Sequence, residues 1–125
     1  MSAKSGLTVK FWGVRGSIAC PGPSTVRYGG NTSCVEVRCG EHLLIFDAGT
    51  GIRELSGDLK VGRPLDAHLF LTHTHLDHVC GLPFFEPLFR SDTKLKIWGG
   101  HLPPARSIRE VLTCLMMDPL WPVHL

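Results

Sequence analysis

Four potential metal ligands stand within six consecutive residues, His73-Thr74-His75-Leu76-Asp77-His78. A spacing of two puts His73 and His75 on the same side of an extended backbone, so both imidazoles can reach one ion. Asp77 and His78 are adjacent and point apart in an extended chain, which suits them better to a second ion after a turn. Imidazole and carboxylate groups suit Zn²⁺, and also iron or manganese. The run predicts a metal site; the alternative is an exposed polar loop that happens to hold three histidines.

The segments around this run predict an α/β chain in which a strand leads directly into the histidines. Apolar residues that alternate with polar ones, or run continuously, predict strands over 7–12, 33–37, 43–47, 67–72 and 93–98. Helical spacing predicts one helix over 52–59 and another with Pro104 in its first turn and Ile108, Val111, Leu112 and Leu115 on one face. Strands that alternate with helices favour a single α/β unit.

Two other segments differ in composition from the predicted strands and helices. Residues 13–30 are rich in glycine and predict a long ordered loop, which is usually a functional feature. Residues 82–89 are aromatic and broken by proline, so they predict no more than a short helical turn. The apolar side chains of that turn line either the core or a substrate wall; they are Phe84, Phe85, Leu88 and Phe89.

Length and composition exclude several classes of protein. A chain of 125 residues suffices for one small domain. The 13 basic and 11 acidic residues leave a net charge of +2, so we expect no strong nucleic-acid patch. No run of eighteen apolar residues exists, so we expect no membrane span, and the N-terminus shows no signal peptide. The expected location is the cytoplasm, where the five cysteines would be free thiols, several of them in the core.

The histidine run matches the H-x-H-x-D-H motif of the metallo-β-lactamase superfamily. Three further stretches resemble the same superfamily: Phe-Trp-Gly-Val-Arg-Gly-Ser at 11–17, Arg-Tyr-Gly-Gly-Asn-Thr-Ser-Cys at 27–34 and Leu-Ile-Phe-Asp-Ala-Gly-Thr-Gly at 44–51. Together they are more similar to the phosphodiesterase and ribonuclease Z branch than to the lactamases or glyoxalase II. The resemblance spans residues 7–117.

The resemblance implies a fold and a set of ligands. The fold would be the N-terminal half of an αββα sandwich, a mixed sheet with flanking helices, so residues 1–125 would form a single truncated domain. His73 and His75 would bind a first zinc ion, and Asp77 and His78 a second, with Asp77 also taking part in catalysis. Asp47 would be the buried carboxylate that orients the site, although the residues alone favour a turn former at a strand end.

The same resemblance shows what this chain lacks. A complete site takes two histidines and a bridging aspartate from the second half of the sandwich. Neither His101, His124 nor Asp118 fills those positions convincingly, and His42 and His68 read as ordinary half-exposed strand residues. Because catalytic zinc normally needs three protein ligands, we expect poor metal retention and little turnover. A homodimer that completes the fold would be one remedy, since the unpaired faces would be apolar.

The expected activity is metal-dependent hydrolysis. A hydroxide shared by two zinc ions would attack a small-molecule or nucleotide phosphodiester. The alternatives are a thioester or lactone hydrolase of the glyoxalase II type, and a non-catalytic remnant that binds metal without turnover. Five further residues each have two alternative roles. Arg15 and Arg27 would contact phosphate or lie on the solvated surface, Asn31 and Ser33 would serve the site or local backbone donors, and Cys80 would be a ligand or a small core residue.

Overall fold

One five-stranded sheet organises the computed structural model, which describes residues 6–59 and 61–125. The strands lie side by side in chain order, with β1, β2 and β3 antiparallel and β3, β4 and β5 parallel. The α/β class, with a mixed sheet and flanking helices, is therefore confirmed. Strand bounds are β1 (Leu7–Gly13), β2 (Cys34–Cys39), β3 (His42–Phe46), β4 (Leu65–Phe70) and β5 (Thr93–Trp98).

In the part of the chain that the structure describes, two α-helices and four short 3₁₀ turns accompany the strands. Helix α1 (Ile52–Asp58) makes the crossover between the parallel strands β3 and β4, and α2 (Ile108–Leu115) follows β5. The 3₁₀ turns are Pro23–Thr25, Leu76–His78, Leu82–Phe84 and Glu86–Phe89, so the short helical turn expected near residue 82 is present twice. Among the described residues, no helix is long and apolar enough to cross a membrane.

Helix α2 begins at the first residue of its apolar pattern, Ile108, and later than the proline signal suggested. The prediction that Pro104 lies in its first turn is wrong, because Ser107 is the N-cap and the helix starts at the next residue. Ser107 Oγ accepts from Glu110 N at 3.2 Å, and Glu110 Oε2 accepts from Ser107 N at 2.8 Å. This reciprocal capping box satisfies donors that a helix start leaves unpaired, and its Ser-x-x-Glu spacing was the missed signal.

The core lies on one face of the sheet only. The alternating side chains of β3 and β4 point into it, and both helices pack on that same face. The central buried residues are Leu43, Ile45, Ala67, Leu69, Ile52, Leu55, Leu112 and Phe85. Of the aromatic residues in the 82–89 segment, Phe85 is therefore core, whereas Phe84 and Phe89 are exposed.

The cysteines are free thiols, and all five lie in the described residues. The expectation that several fill the core is wrong, because only Cys34 is buried, while Cys20, Cys39 and Cys114 are exposed. Burial, with smaller contributions from the charges of Asp47 and Glu36, raises the pKa of Cys34 to about 12. That thiol therefore stays protonated and acts as a small apolar side chain.

Candidate metal centre

The candidate site forms where β3 and β4 end. These strands are parallel, so their carboxyl ends meet at one edge of the sheet. Asp47 directly follows β3, and the histidine run follows β4 after Leu71 and Thr72. The Asp47 N–H donates to the Phe70 carbonyl at 2.9 Å, which extends the ladder by one step and fixes Asp47 beside the start of the run.

Asp47 is a buried carboxylate, only 4% exposed, and it gathers hydrogen bonds from three residues. Oδ1 accepts from the Thr72 backbone N–H at 2.8 Å, and the Thr72 hydroxyl lies 2.9 Å from both carboxylate oxygens. Oδ2 also accepts from the Ser33 hydroxyl at 3.3 Å and lies 2.8 Å from His78 Nδ1. Because a buried charge needs such partners, this carboxylate ties β2, β3 and the histidine run together.

The loop after Asp47 presses closely against the loop after the histidines. The Ala48 N–H donates to the His78 carbonyl, and the Gly81 N–H donates back to the Ala48 carbonyl, both at 2.8 Å. A Cβ atom on Gly49 would collide with the Asp77 carbonyl, and one on Gly81 with the Gly49 carbonyl. Two glycines therefore permit the approach that places the His78 ring against Asp47.

His78 and Asp77 occupy a 3₁₀ turn rather than an extended segment. The turn brings His78 Nε2 to 3.2 Å from Asp77 Oδ2, so the two side chains converge where an extended chain would have separated them. The same Asp77 oxygen accepts from the Ser17 N–H at 2.8 Å. That backbone hydrogen bond, helped by the nearby His78, lowers the pKa of Asp77 and favours its carboxylate.

His73 and His75 lie side by side at the other end of the run. Their ring centroids are 4.7 Å apart in an edge-on arrangement, and the His73 ring is also 3.9 Å from that of His78. His73 Nδ1 lies 3.1 Å from the Thr72 hydroxyl, whereas the His75 ring is exposed. The structure thus brings His73 next to both His75 and His78, so the four candidate ligands do not form two separate pairs.

Zinc ligation can be tested against this geometry. Two donors bonded to one tetrahedral zinc ion at 2.0–2.1 Å lie about 3.3 Å apart, and His78 Nε2 and Asp77 Oδ2 stand close to that separation. The donor types also suit zinc. Over residues 6–59 and 61–125, however, no group of three or more His, Cys, Asp or Glu side chains is arranged to hold a metal. The described residues thus place two donors at a separation that suits zinc, without a third beside them.

The other histidines of the sequence lie outside this cluster or at its rim. His101 is exposed, but its Nε2 stands 3.1 Å from the Thr74 hydroxyl, so it borders the histidine run. His124 lies 3.6 Å from Asp118, and both side chains are largely exposed. His68 stacks on Trp98, 5.9 Å away. His42 is exposed at the opposite end of β3 from the site.

The two arginines of the glycine-rich loop have local contacts. Arg15 Nε donates to the Gly29 carbonyl at 2.9 Å and closes the loop on itself, and the exposed Arg27 guanidinium lies 5.1 Å from the Tyr28 ring. Cys80 is half-buried and lines a hollow of about 230 Å³ with Phe84. These positions surround the site without reaching the four candidate ligands.

Asn31 and Ser33 act on side chains, whereas the commoner role of such residues is to satisfy backbone donors nearby. Ser33 donates to Asp47, as described, and Asn31 Oδ1 accepts from the Thr50 hydroxyl at 3.0 Å. Thr50 and Thr32 also exchange hydrogen bonds, each hydroxyl accepting from the other's backbone N–H at 2.8–2.9 Å. This hydrogen-bond network joins the C-terminal end of the glycine-rich loop to the segment that follows Asp47.

Two contributors escaped the sequence reasoning. Ser17 lies 60 positions before Asp77 and acts through its backbone N–H, so no side-chain pattern marks it. Thr72 stands immediately before His73, and its position as the last polar residue of the predicted strand was the available signal.

Comparisons with known proteins find distant similarities over most of the chain. No protein-family model matches the chain. Ribonuclease Z of Haloarcula marismortui is 29% identical over 121 residues, and that of Natronomonas pharaonis 28% over 120, covering 95% and 94% of this chain. The chain is distantly similar to ribonuclease Z. It spans 36% of the length of each of these curated ribonuclease Z relatives, about a third.

One solved structure also matches in part. It is described as a metallo-β-lactamase from Thermotoga maritima and is 20% identical to this chain. The match covers 71% of this chain and 42% of the other, with a TM-score of 0.39.

Proposed function

We propose that this chain carries part of the active site of a metal-dependent hydrolase that cleaves phosphodiester bonds. One observation carries the proposal. A buried carboxylate holds Nδ1 of His78 at 2.8 Å, while Nε2 of the same ring meets Asp77 Oδ2 at 3.2 Å. A carboxylate that fixes one ring nitrogen leaves the other oriented for a metal, and this is the usual support of a histidine ligand.

Each residue of the run has a role in this proposal. His73 and His75 would hold a first zinc ion, and Asp77 and His78 would contribute to a second, with iron or manganese as substitutes. When bound, the two ions would supply Lewis acidity and a water activated near neutral pH. Asp47 would act through His78, because it fixes the tautomer and orientation of that ring.

Asp77 would take part directly in the reaction site. Its carboxylate accepts from the Ser17 N–H at 2.8 Å, and this hydrogen bond lowers the pKa of Asp77, which extends its charged form to more acid conditions. Ser17 itself has a positive φ of 67°, which turns its N–H toward Asp77. The glycine-rich loop thus serves to orient a candidate ligand.

The substrate class is proposed from similarity. The relatives named ribonuclease Z favour a phosphodiester, of a small molecule or a nucleotide, over a thioester or lactone. Because the described residues supply fewer than three converging ligands, we expect weak metal retention and slow hydrolysis. The proposal concerns only the part of such enzymes that this chain matches, about a third of the relatives' length.

The test combines metal content with turnover. The chain is loaded with zinc, dialysed, and its zinc content is measured; bis(p-nitrophenyl) phosphate hydrolysis is then followed with zinc added back. We expect less than one zinc per chain to survive dialysis and a slow, zinc-dependent hydrolysis. His75→Ala should abolish that hydrolysis, whereas His42→Ala, at the far end of β3, should leave it unchanged.

Other outcomes would replace the proposal. Zinc-dependent cleavage of a thioester without cleavage of the phosphodiester would establish the glyoxalase-type alternative. Zinc binding that depends on His75 but produces no hydrolysis at any zinc concentration would establish a non-catalytic remnant. Two tightly retained zinc ions with rapid turnover would contradict the incomplete site.

A further inference from the structure

A hollow of about 260 Å³ lies at the end of the sheet opposite the candidate metal centre. Three arginines and one carboxylate from different segments line it; they are Arg38, Arg63, Arg90 and Asp58. Its apolar wall includes Leu65, the first residue of β4. We call this feature the arginine hollow. All of its lining residues lie between positions 38 and 90, so its walls are complete within the described part of the chain.

The strand order brings the three arginines together. Arg63 lies two residues before β4, and Arg90 lies three residues before β5. Arg38 lies near the end of β2, where it pairs with Leu43 near the start of β3. Because β3, β4 and β5 are parallel, their starts share one edge of the sheet. The candidate metal centre lies at the other edge, and the six residues of β4 separate the two by roughly 17 Å.

Two of the arginines are fixed in place by carboxylates. Glu36, only 3% exposed, accepts from Arg38 Nε and also from Trp12 Nε1, the latter at 2.8 Å. Arg90 donates from Nε and Nη2 to the two carboxylate oxygens of Asp92, each at 2.8 Å. Each guanidinium carries five N–H groups, so donors remain after these pairings. An arginine that is already fixed loses less rotational freedom when it binds a ligand.

Arg63 gives the hollow its unbalanced positive charge. Arg38 and Arg90 each pair with a carboxylate. Asp58 pairs with Lys10 at 3.8 Å. Over residues 6–59 and 61–125, Arg63 forms no such ion pair, while its backbone carbonyl accepts from Arg90 Nη2 at 2.6 Å and holds this segment at the hollow. One positive charge is thus left for an anion to balance.

We propose that the arginine hollow binds a phosphate group, either as free phosphate or at the end of a small molecule. Guanidinium groups match phosphate oxygens through paired N–H donors. The tetrahedral oxygens of phosphate accept from several directions and so suit guanidinium groups on three segments, whereas a planar carboxylate suits one. The inference goes beyond the proposed function and stands without it, because no residue of the histidine run lines the hollow.

The charges around the hollow favour a single phosphate group over the backbone of a nucleic acid. A nucleic acid is held by a basic stripe that follows many phosphates. Here the carboxylates of Glu36, Asp58 and Asp92 alternate with the arginines, and the net charge of the whole chain is only +2. The positive charge is therefore confined to the hollow itself.

An NMR titration of the isotope-labelled full chain with inorganic phosphate tests this inference. EDTA is present, so that no metal at the histidine run can bind the anion, and ionic strength is held constant. We expect saturable shifts of the backbone amides near Arg63 and Arg90, and none over residues 72–78. Adenosine monophosphate in a second arm distinguishes the sources, because tighter binding than free phosphate assigns the hollow to a phosphate ester and weaker binding assigns it to the free ion.

Arg63→Ala should weaken phosphate binding by about tenfold, because it removes the unbalanced charge and its paired donors. The backbone carbonyl that Arg90 contacts remains in this variant, and the same spectra report that the fold is intact. Arg63→Lys keeps the charge without the paired donors and should recover only part of the affinity. The matched control Arg109→Ala removes one arginine from an exposed position on α2 and should bind phosphate as the wild type does.

Three results would overturn the proposal. Shifts in the wild type that grow without saturation would show that the hollow has no phosphate site, whatever the variants do. Equal losses in Arg63→Ala and Arg109→Ala would reduce the effect to net charge. Tighter binding of a single-stranded RNA without terminal phosphates, lost in Arg63→Ala, would assign the hollow to a nucleic-acid backbone. Because EDTA is present throughout, failure of the proposed metal site leaves these outcomes unchanged.

Discussion

The two ends of the histidine run differ in how the fold holds them. At the C-terminal end, the side chains of Asp77 and His78 are 11% and 16% exposed and are fastened by Ser17 and Asp47. At the N-terminal end, His75 is exposed, and the hydrogen-bond contact of the His73 ring is with the Thr72 hydroxyl beside it in the chain. We call Asp77 and His78 the fastened end of the run, because hydrogen bonds hold their side chains in place. We call His73 and His75 the presented end, because few contacts hold theirs.

This difference separates two kinds of contribution. Residues at the fastened end should affect stability as well as metal binding, because their polar atoms are already paired inside the protein. Residues at the presented end should affect metal binding alone, because water can hydrogen-bond their ring nitrogens when no metal is bound. Substitutions along the run can distinguish the two.

The largest effect should come from Asp47→Ala. It leaves the donors of Ser33, Thr72 and His78 without their buried acceptor in a part-buried place, so the free energy of unfolding should fall by about 3–4 kcal/mol. Urea denaturation measures this. Asp47→Asn is the matched variant, since asparagine tolerates the positive φ of 63° and keeps part of the bonding, and it should cost about half as much. If Asp47→Ala lowers the free energy of unfolding by less than about 1 kcal/mol, Asp47 does not hold the histidine run in place.

The next effect concerns the close approach of the two loops. Gly81→Ala puts a Cβ against the Gly49 carbonyl and should cost about 2 kcal/mol of unfolding free energy. Gly57→Ala is the control within α1, where the new methyl meets no atom within 4 Å. It should instead stabilise the chain by about 0.5–1 kcal/mol, as alanine favours helix. Equal effects at both glycines would show that the loops need not touch.

His78→Ala should lower the free energy of unfolding by less than Asp47→Ala or Gly81→Ala. It removes one hydrogen bond to Asp47 but leaves the contacts of that carboxylate with Thr72 and Ser33 in place. We expect a loss of about 1–2 kcal/mol in chemical denaturation. A neutral result would place His78 with the presented end of the run.

His75→Ala should have the smallest effect on folding, within about 0.5 kcal/mol of the wild type, because the ring is exposed and no hydrogen bond fixes it. Thermal unfolding without added metal is the measurement. In the presence of zinc, the wild type should gain stability that this variant lacks. A large metal-free loss would mean that the presented end is structural after all.

Much of the fold could be read from the sequence because its strands alternate so clearly. Segments such as 93–98, with Leu95 and Ile97 inward and two lysines outward, leave one possible orientation. The start of α2 was misplaced because the proline signal was followed and the Ser107–Glu110 spacing was not. Local patterns predicted the elements well, and one local pattern was overlooked.

The site was predictable only where its residues are neighbours in sequence. The spacing of the run indicated the four candidate ligands, but it did not indicate that a 3₁₀ turn would bring Asp77 and His78 together. The contact of Ser17 with Asp77 depends on how a long loop folds back across the sheet edge. That hydrogen bond joins residues 60 positions apart, which the periodicity of a single segment does not specify.

Isothermal titration with zinc tests directly whether the histidine run is a metal site. Compared chains are the wild type, His73→Ala with His75→Ala, and the control His42→Ala with His124→Ala, which removes two exposed histidines elsewhere. We expect measurable binding in the wild type, the same affinity in the control, and at least a tenfold loss in the run variant. Equal affinities in all three chains, or no binding in the wild type, would contradict it.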